Sequence, residues 1–266
     1  MKETFDFHVL MGRRRFAAIA GGVLASFASG GACRVESEPS QPNDGRLLAR
    51  PPSPATTSTE GTRALGLDRA RDAILQMPAT AAGEPLPLFV LFHGASGSGE
   101  GVLRRLGQAA AAAGVAVLAP DSRDSTWDAI RGGFGRDVTF VDRALARVFE
   151  TVAVDPTRIA AGGFSDGATY ALSLGLINGD LFRRIVAFSP GFLIDGEVHG
   201  RPQVFISHGT ADPILPIDRC SRVIVPQLRR RGYDVTFREF DGRHEVPASI
   251  AAAAMTWLAA APVSTR

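Results

Sequence analysis

Short apolar runs alternate along this chain with longer stretches of helical character, and that alternation restricts the fold more than any other feature. The runs fall at residues 86–92, 115–119, 159–163, 184–188 and 203–207, with further strands expected at 71–77 and 234–240. Helical composition or spacing covers 100–113, 137–151, 168–178, 217–231 and 246–260. In 137–151, for example, Val138, Val141, Leu145, Val148 and Phe149 recur at helical intervals. A strand buried on both faces reads as an unbroken apolar run, which is the mark of a parallel sheet covered by helices. Right-handed crossovers then predict an α/β fold: one doubly wound domain with a mostly parallel sheet, helices on both faces and ligands at the strand C-terminal ends. The glycines, serines and histidines that stand out fall at those ends, in 92–99, 120–127, 164–167, 189–192 and 208–213.

The most informative of these ends is Gly163-Phe164-Ser165-Asp166-Gly167, between an apolar strand and a helix. A serine on so tight a strand-to-helix turn sits in a strained backbone conformation, and the positions two away on either side are crowded enough to require glycine. This is the Gly-x-Ser-x-Gly arrangement in its required context, and Ser165 is the candidate nucleophile. The helix behind it offers backbone N–H groups and a positive dipole end to a developing negative charge.

A serine hydroxyl is a weak nucleophile near neutral pH and needs a base, which in turn needs an orienting group. Of five histidines, His8 precedes the fold, His199 reads as a turn residue, His208 ends a strand and reads as structural, and His93 packs beneath a glycine loop. His244, in the loop between the last strand and the last helix, is the candidate base. Asp212 precedes it and follows the 203–207 strand, giving the chain order Ser, Asp, His. The alternative for Asp212 is a turn former before Pro213. Candidate oxyanion donors are the amide of Asp166, next to the nucleophile, and that of Ala95, in the glycine-rich loop after 86–92. That loop lacks Gly-Lys-Ser/Thr, so phosphate binding is weakly supported. No His/Cys/carboxylate cluster has metal-ligand spacing, and no metal or cofactor is called for.

These residues resemble the α/β-hydrolase superfamily, in particular its phospholipase/carboxylesterase-like serine esterases. The carrying segments are Leu91-Phe92-His93-Gly94-Ala95-Ser96-Gly97-Ser98-Gly99, Gly163 to Ala168, His208-Gly209-Thr210-Ala211-Asp212-Pro213-Ile214 and Gly242-Arg243-His244, with the resemblance covering about 71–261. It implies a catalytic triad of Ser165, Asp212 and His244 with Ala95 and Asp166 as oxyanion donors, acting on a small-molecule or lipid-like ester through an acyl-enzyme. Relatives of this kind often carry Gln after the serine, where this chain has Asp166. Similar Phe-Ser-Asp-Gly elbows occur in polyester-depolymerase-like proteins, so ester, thioester and polyester substrates all stay open. No large insertion separates the core elements, which predicts the absence of a lid domain. Trp127 and Phe192 are candidate acyl-pocket walls, with core packing as the alternative for both. A non-catalytic, surface-tethered ligand-binding protein on the same fold is the competing reading; its mark would be a missing triad member.

The N-terminal part has a different texture. Arg13-Arg14-Arg15-Phe16 and the uncharged small and apolar run 17–31 read as an export signal spanning 1–33, twin-arginine-like, with translation starting at Met1 or Met11. Gly30-Gly31-Ala32-Cys33 resembles a lipoprotein cleavage site, which would make Cys33 a membrane tether; plain cleavage near Ala32 is the alternative. If Cys33 is consumed or removed, Cys220 is left without a disulfide partner. Residues 34–60 are rich in Pro, Ser and Thr without apolar periodicity, and are expected to form a disordered linker to a catalytic domain at 61–266. A net charge of +2, from 29 basic and 27 acidic residues with no basic stripe, argues against a nucleic-acid partner. The expected destination is periplasmic, secreted or membrane-tethered.

Overall fold

The structure, a computed structural model, describes residues 44–52, 61–79 and 85–260. The export signal, Cys33 and most of the expected linker lie outside the described residues.

Eight strands form one sheet in the order β1-β2-β4-β3-β5-β6-β7-β8. They are β1 (Gly61–Ala64), β2 (Ala73–Met77), β3 (Leu86–Phe92), β4 (Ala116–Pro120), β5 (Val154–Phe164), β6 (Arg184–Phe188), β7 (Gln203–Gly209) and β8 (Val235–Phe240). From β4 to β8 every pairing is parallel, whereas β1 on β2 and β2 on β4 are antiparallel. The helices are α1 (Gly99–Ala112), α2 (Asp128–Arg131), α3 (Arg136–Thr151), α4 (Asp166–Ile177), α5 (Ser221–Arg230) and α6 (Ala248–Ala259).

Strand alternation assigns the two faces. Leu88, Val90 and Phe92 of β3 pack with α3 and α4, while Phe89 and Leu91 pack with α1 and α6. The far end of the first face is closed by α5, through Ile224, Val225 and Leu228 against Val204 and Ile206 of β7. Buried β3, and β6 after its first residue Arg184, are apolar because both of their faces are covered. The doubly wound arrangement is thus the one its apolar pattern predicts.

Three differences from the sequence reading have local causes. The elbow strand starts at Val154 rather than at 159, because its register on β3 shifts between Leu86 and Leu88 and accommodates Asp155-Pro156-Thr157-Arg158 as an irregularity. The helix expected at 217–231 is broken: a 3₁₀ turn at Ile217–Arg219 ends at Cys220, whose φ of −118° and ψ of −100° are not helical, and α5 begins at Ser221. Ser221 is held there by a buried hydrogen bond to His208. β1 and α2, each four residues long, are too short to leave a periodic signal.

The expected linker is also corrected over residues 44–52, which pack against the domain. Leu47 is fully buried in the core beneath α3 and α4, and its amide donates to Asn178 Oδ1 at 2.9 Å. Arg46 and Arg50 both reach Asp180, at 2.8 and 2.7 Å, and hold its carboxyl well below the usual carboxylate range. The amides of Leu48 and Ala49 donate to Asp142 Oδ1. A single apolar residue in a polar tract has no periodicity, so only docking reveals it. Leu47→Ala is expected to cost about 2–4 kcal/mol. That lowers the thermal midpoint by roughly 2–4 °C per kcal/mol, measurable by thermal unfolding.

Candidate active site

Ser165 stands at the junction of β5 and α4 with φ 59° and ψ −121°, a left-handed conformation that a side-chain-bearing residue adopts only under strain. Its amide donates to Phe188 O at 3.0 Å, and its carbonyl accepts from Ala168 and Thr169 at 2.9 and 3.0 Å. The flanking glycines are sterically required. A Cβ on Gly163 would lie 2.4 Å from Gly167 O, and one on Gly167 would lie 2.2 Å from Phe92 O.

The structure brings Ser165, Asp212 and His244 together. His244 Nδ1 lies 2.6 Å from Asp212 Oδ2, and its Nε2 lies 2.9 Å from Ser165 Oγ. The carboxylate can only accept, so Nδ1 carries the ring proton and Nε2 is left to accept from the hydroxyl. Asp212 Oδ1 accepts the amides of Ile214 and Leu215, both at 2.9 Å. Burial raises the Asp212 pKa, but hydrogen bonds from His244, Leu215 and Ile214 outweigh it and leave the carboxyl below its ordinary value. It therefore stays charged beside the imidazole near neutral pH.

The other two strand-end histidines are fully occupied. His208 Nε2 donates to Leu215 O at 2.7 Å while Nδ1 accepts from Ser221 Oγ at 2.7 Å. Burial lowers its pKa, which keeps it neutral 3.2 Å from Asp212. His93 Nδ1 donates to Gly94 O at 2.7 Å and Nε2 accepts the Ser122 amide at 3.0 Å; burial again lowers its pKa. Neither ring has a nitrogen left to serve as a base.

The glycine loop lies against the nucleophile: a Cβ on Gly94 would meet Phe164 O at 3.3 Å and Ser165 Cβ at 3.4 Å. Among the described residues, no acceptor meets the amide of Ala95 or of Asp166. Two free N–H groups therefore flank the turn that carries Ser165. The segment after β4, largely silent in the sequence, builds the support beneath them. Ser125 O accepts the Ser96 amide at 2.6 Å, and Trp127 Nε1 donates to His93 O at 2.8 Å. Thr126 Oγ1 donates to Asp166 Oδ2 at 2.6 Å. Beyond this, Asp128 and Asp137 exchange amide-to-carboxylate bonds of 2.7 and 2.9 Å. Burial and the neighbouring Asp128 charge push the Asp137 carboxyl up to about 6.

Trp127 is corrected as a pocket wall. It is completely buried, stacked on Tyr170 at 4.8 Å and edge-on to Phe92 at 4.9 Å. Its role is to hold the loop through the His93 carbonyl. Phe192 is 41% exposed and lines a groove of about 760 Å³ with Ile130, Phe134, Leu193 and Ile194. Among the described residues, no group of three or more His, Cys, Asp or Glu side chains is arranged to hold a metal.

A family model described as phospholipase/carboxylesterase matches residues 133–261, the span that contains Ser165, Asp212 and His244. A protein of Nocardia uniformis subsp. tsuyamanensis given an esterase's name, NocK, is 32% identical over 184 residues, covering 65% of this chain and 53% of its own. One of Aspergillus oryzae given the name feruloyl esterase C is 30% identical over 157 residues, covering 56% and 57%. The chain thus spans just over half the length of these curated relatives. Among solved structures, the Bacillus cereus carboxylesterase superposes with a TM-score of 0.55 at 21% identity, covering 71% of this chain and 93% of its own.

Proposed function

We propose that this protein is a serine esterase of the α/β-hydrolase superfamily, on its phospholipase/carboxylesterase-like side, working through an acyl-enzyme; the family-model match over residues 133–261 and the esterase-named relatives support that reading. The observation that carries the reading is the continuous chain of hydrogen bonds from Ser165 Oγ through His244 to Asp212. Ser165 Oγ attacks the ester carbonyl as His244 Nε2 takes its proton, and Asp212 holds the ring in the required tautomer and stabilises the imidazolium. The carbonyl oxygen, now negative, is received by the free amides of Ala95 and Asp166, each worth about 3–4 kcal/mol of transition-state stabilisation. His244 then returns the proton to the departing alcohol, and water, activated by the same base, cleaves the acyl-enzyme. All three triad members are in hydrogen-bonding contact, which weighs against a binding protein on a disabled scaffold.

Export extends the proposal. Arg13-Arg14 followed by the 17–31 run supports passage across a membrane, with Cys33 as a site for a lipid tether and periplasmic, secreted or tethered enzyme as the outcome. Among the described residues no helix is long and apolar enough to cross a membrane.

The test is reaction of the purified protein with a fluorophosphonate, followed by mapping of the adduct, alongside hydrolysis of short-chain 4-nitrophenyl esters. We expect a single adduct on Ser165 and ester turnover that disappears in proportion to labelling. A folded protein that neither labels nor cleaves any ester would overturn the reading.

A further inference from the structure

A second concavity, of about 510 Å³, opens on the α1 side, bordered by Phe164, the residue before the nucleophile, and by the glycine loop. Its floor is the glycine loop, including Gly94 and Ala95, and its walls are Phe164 and the first turns of α1, with Arg104 and Arg105. Ala95 thus both borders this cleft and supplies one of the two free amides. A substrate whose carbonyl oxygen is seated on that amide therefore has the cleft next to it.

The chemistry of the cleft is one-sided. Two guanidinium groups line it and no carboxylate does. Arg104 is engaged by Glu100 at 2.7 Å on the exposed helix surface. Arg105 is different: among the described residues no acidic side chain or hydrogen-bond acceptor meets its guanidinium. Elsewhere the arginines of this protein are commonly paired, as Arg46 and Arg50 are with Asp180 and Arg222 is with Glu239 and Asp218. Arg105 instead lies over the Phe164 ring, 5.1 Å from its centroid, in cation–π contact. Phe164 in turn packs on the His244 ring at 4.7 Å. One aromatic ring therefore separates an unpaired cation from the candidate base, and the stacking holds the cation at the cleft wall rather than leaving it to sweep the solvent. A guanidinium presents a planar fork of donors suited to a carboxylate.

We propose that Arg105 is a specificity-determining residue that selects esters carrying a carboxylate on the arm entering this cleft, so that the preferred substrates are anionic monoesters. The inference rests on the esterase reading and names the substrate class for the same site.

The experiment compares kcat/KM within two matched pairs, using the purified protein. Mono(4-nitrophenyl) adipate against 4-nitrophenyl hexanoate places the carboxylate on the acyl arm. The 4-acetoxybenzoate anion against its methyl ester, read by phenol release, places it on the alcohol arm. A hydrogen-bonded charge contact is worth enough that Arg105→Gln should lower the anionic-to-neutral ratio about tenfold in one of the two pairs. Arg105→Lys, which keeps the charge but loses the planar fork, should restore part of that ratio. Arg147→Gln, on the opposite face of the sheet, controls for net charge and should leave it in place. Raising the salt concentration should erode the wild-type ratio, since the contact is exposed. A ratio in Arg105→Gln within twofold of wild type in both pairs would overturn the proposal. If wild type cleaves neither member of either pair, this inference fails; if it also neither reacts with the fluorophosphonate nor cleaves any other ester, the esterase reading fails with it.

Discussion

Ser165→Ala is expected to lower ester turnover by about 10⁵–10⁶-fold, the scale on which removal of a triad serine acts. The magnitude follows from the proposed mechanism, in which the triad works as a unit: without Oγ, the base at 2.9 Å has no proton to take and the ordered Asp212–His244 pair has nothing to activate. Residual rate would come only from the oxyanion amides and the substrate-binding surface. Steady-state kinetics with a short-chain ester checks it, and activity within tenfold of wild type would remove Ser165 from the mechanism. A second comparison isolates the backbone. Both Ala and Gly at this position lose Oγ, but only Ala keeps a Cβ at φ 59°. Ser165→Gly should therefore be more stable than Ser165→Ala by about 1 kcal/mol, while being equally inactive. Equal thermal midpoints for the two would show that the turn carries no strain.

Gly167→Ala is expected to be the most damaging small substitution in the domain. The added methyl carbon would lie 2.2 Å from Phe92 O and 2.4 Å from His93 O, both backbone atoms of the central strand and its loop, which no rotamer change can move aside. We expect a loss of about 3 kcal/mol or more, and a fall in thermal midpoint of roughly 6–12 °C. Activity should fall at least ~10²-fold in the protein that remains folded, because α4 and the glycine loop would separate and displace the oxyanion amides from Ser165. Gly101→Ala, in the first turn of α1, is the control: its nearest neighbour would be Ser98 Oγ at 3.3 Å, and the change should stay within about 1 kcal/mol. Similar stability of the two variants would mean that the elbow does not depend on close approach of β3.

What could be read early was what is encoded over a few neighbouring residues. The burial of β3 follows from its unbroken apolar run and the buried face of α3 from its helical period, and the elbow follows from the need for two glycines around a strained serine, which the structure meets with contacts no side chain would survive. Asp212 and His244 were accessible because a parallel sheet gathers its strand ends, so position along the chain already says which side chains converge. His208, at the end of its strand, and His93, beneath the glycine loop, read as structural, and their nitrogens prove fully bonded.

Tertiary structure decided what depends on partners distant in the chain. Leu47 looks like one more linker residue until it is seated in the core, with its amide on Asn178 131 positions away. Trp127 reads equally well as a pocket wall or as core, and only the carbonyl of His93 and the ring of Tyr170 settle it as a buried support. The break at Cys220 is invisible in 217–231 because the hydrogen bond that starts α5 at Ser221 comes from a different strand. Arg105 is one of many arginines in the sequence; that it lies over Phe164 in the cleft beside Ala95, with no acidic partner among the described residues, is a property of the tertiary structure alone. Sequence by itself determined the parallel core of the sheet, the elbow and the side chains that the strand ends gather, since backbone sterics and hydrophobic periodicity act over short stretches of chain. Packing decided the supports, the tautomers and the charge of the approach, because those depend on atoms brought together from positions tens of residues apart, such as Ser165 and His244 across 79.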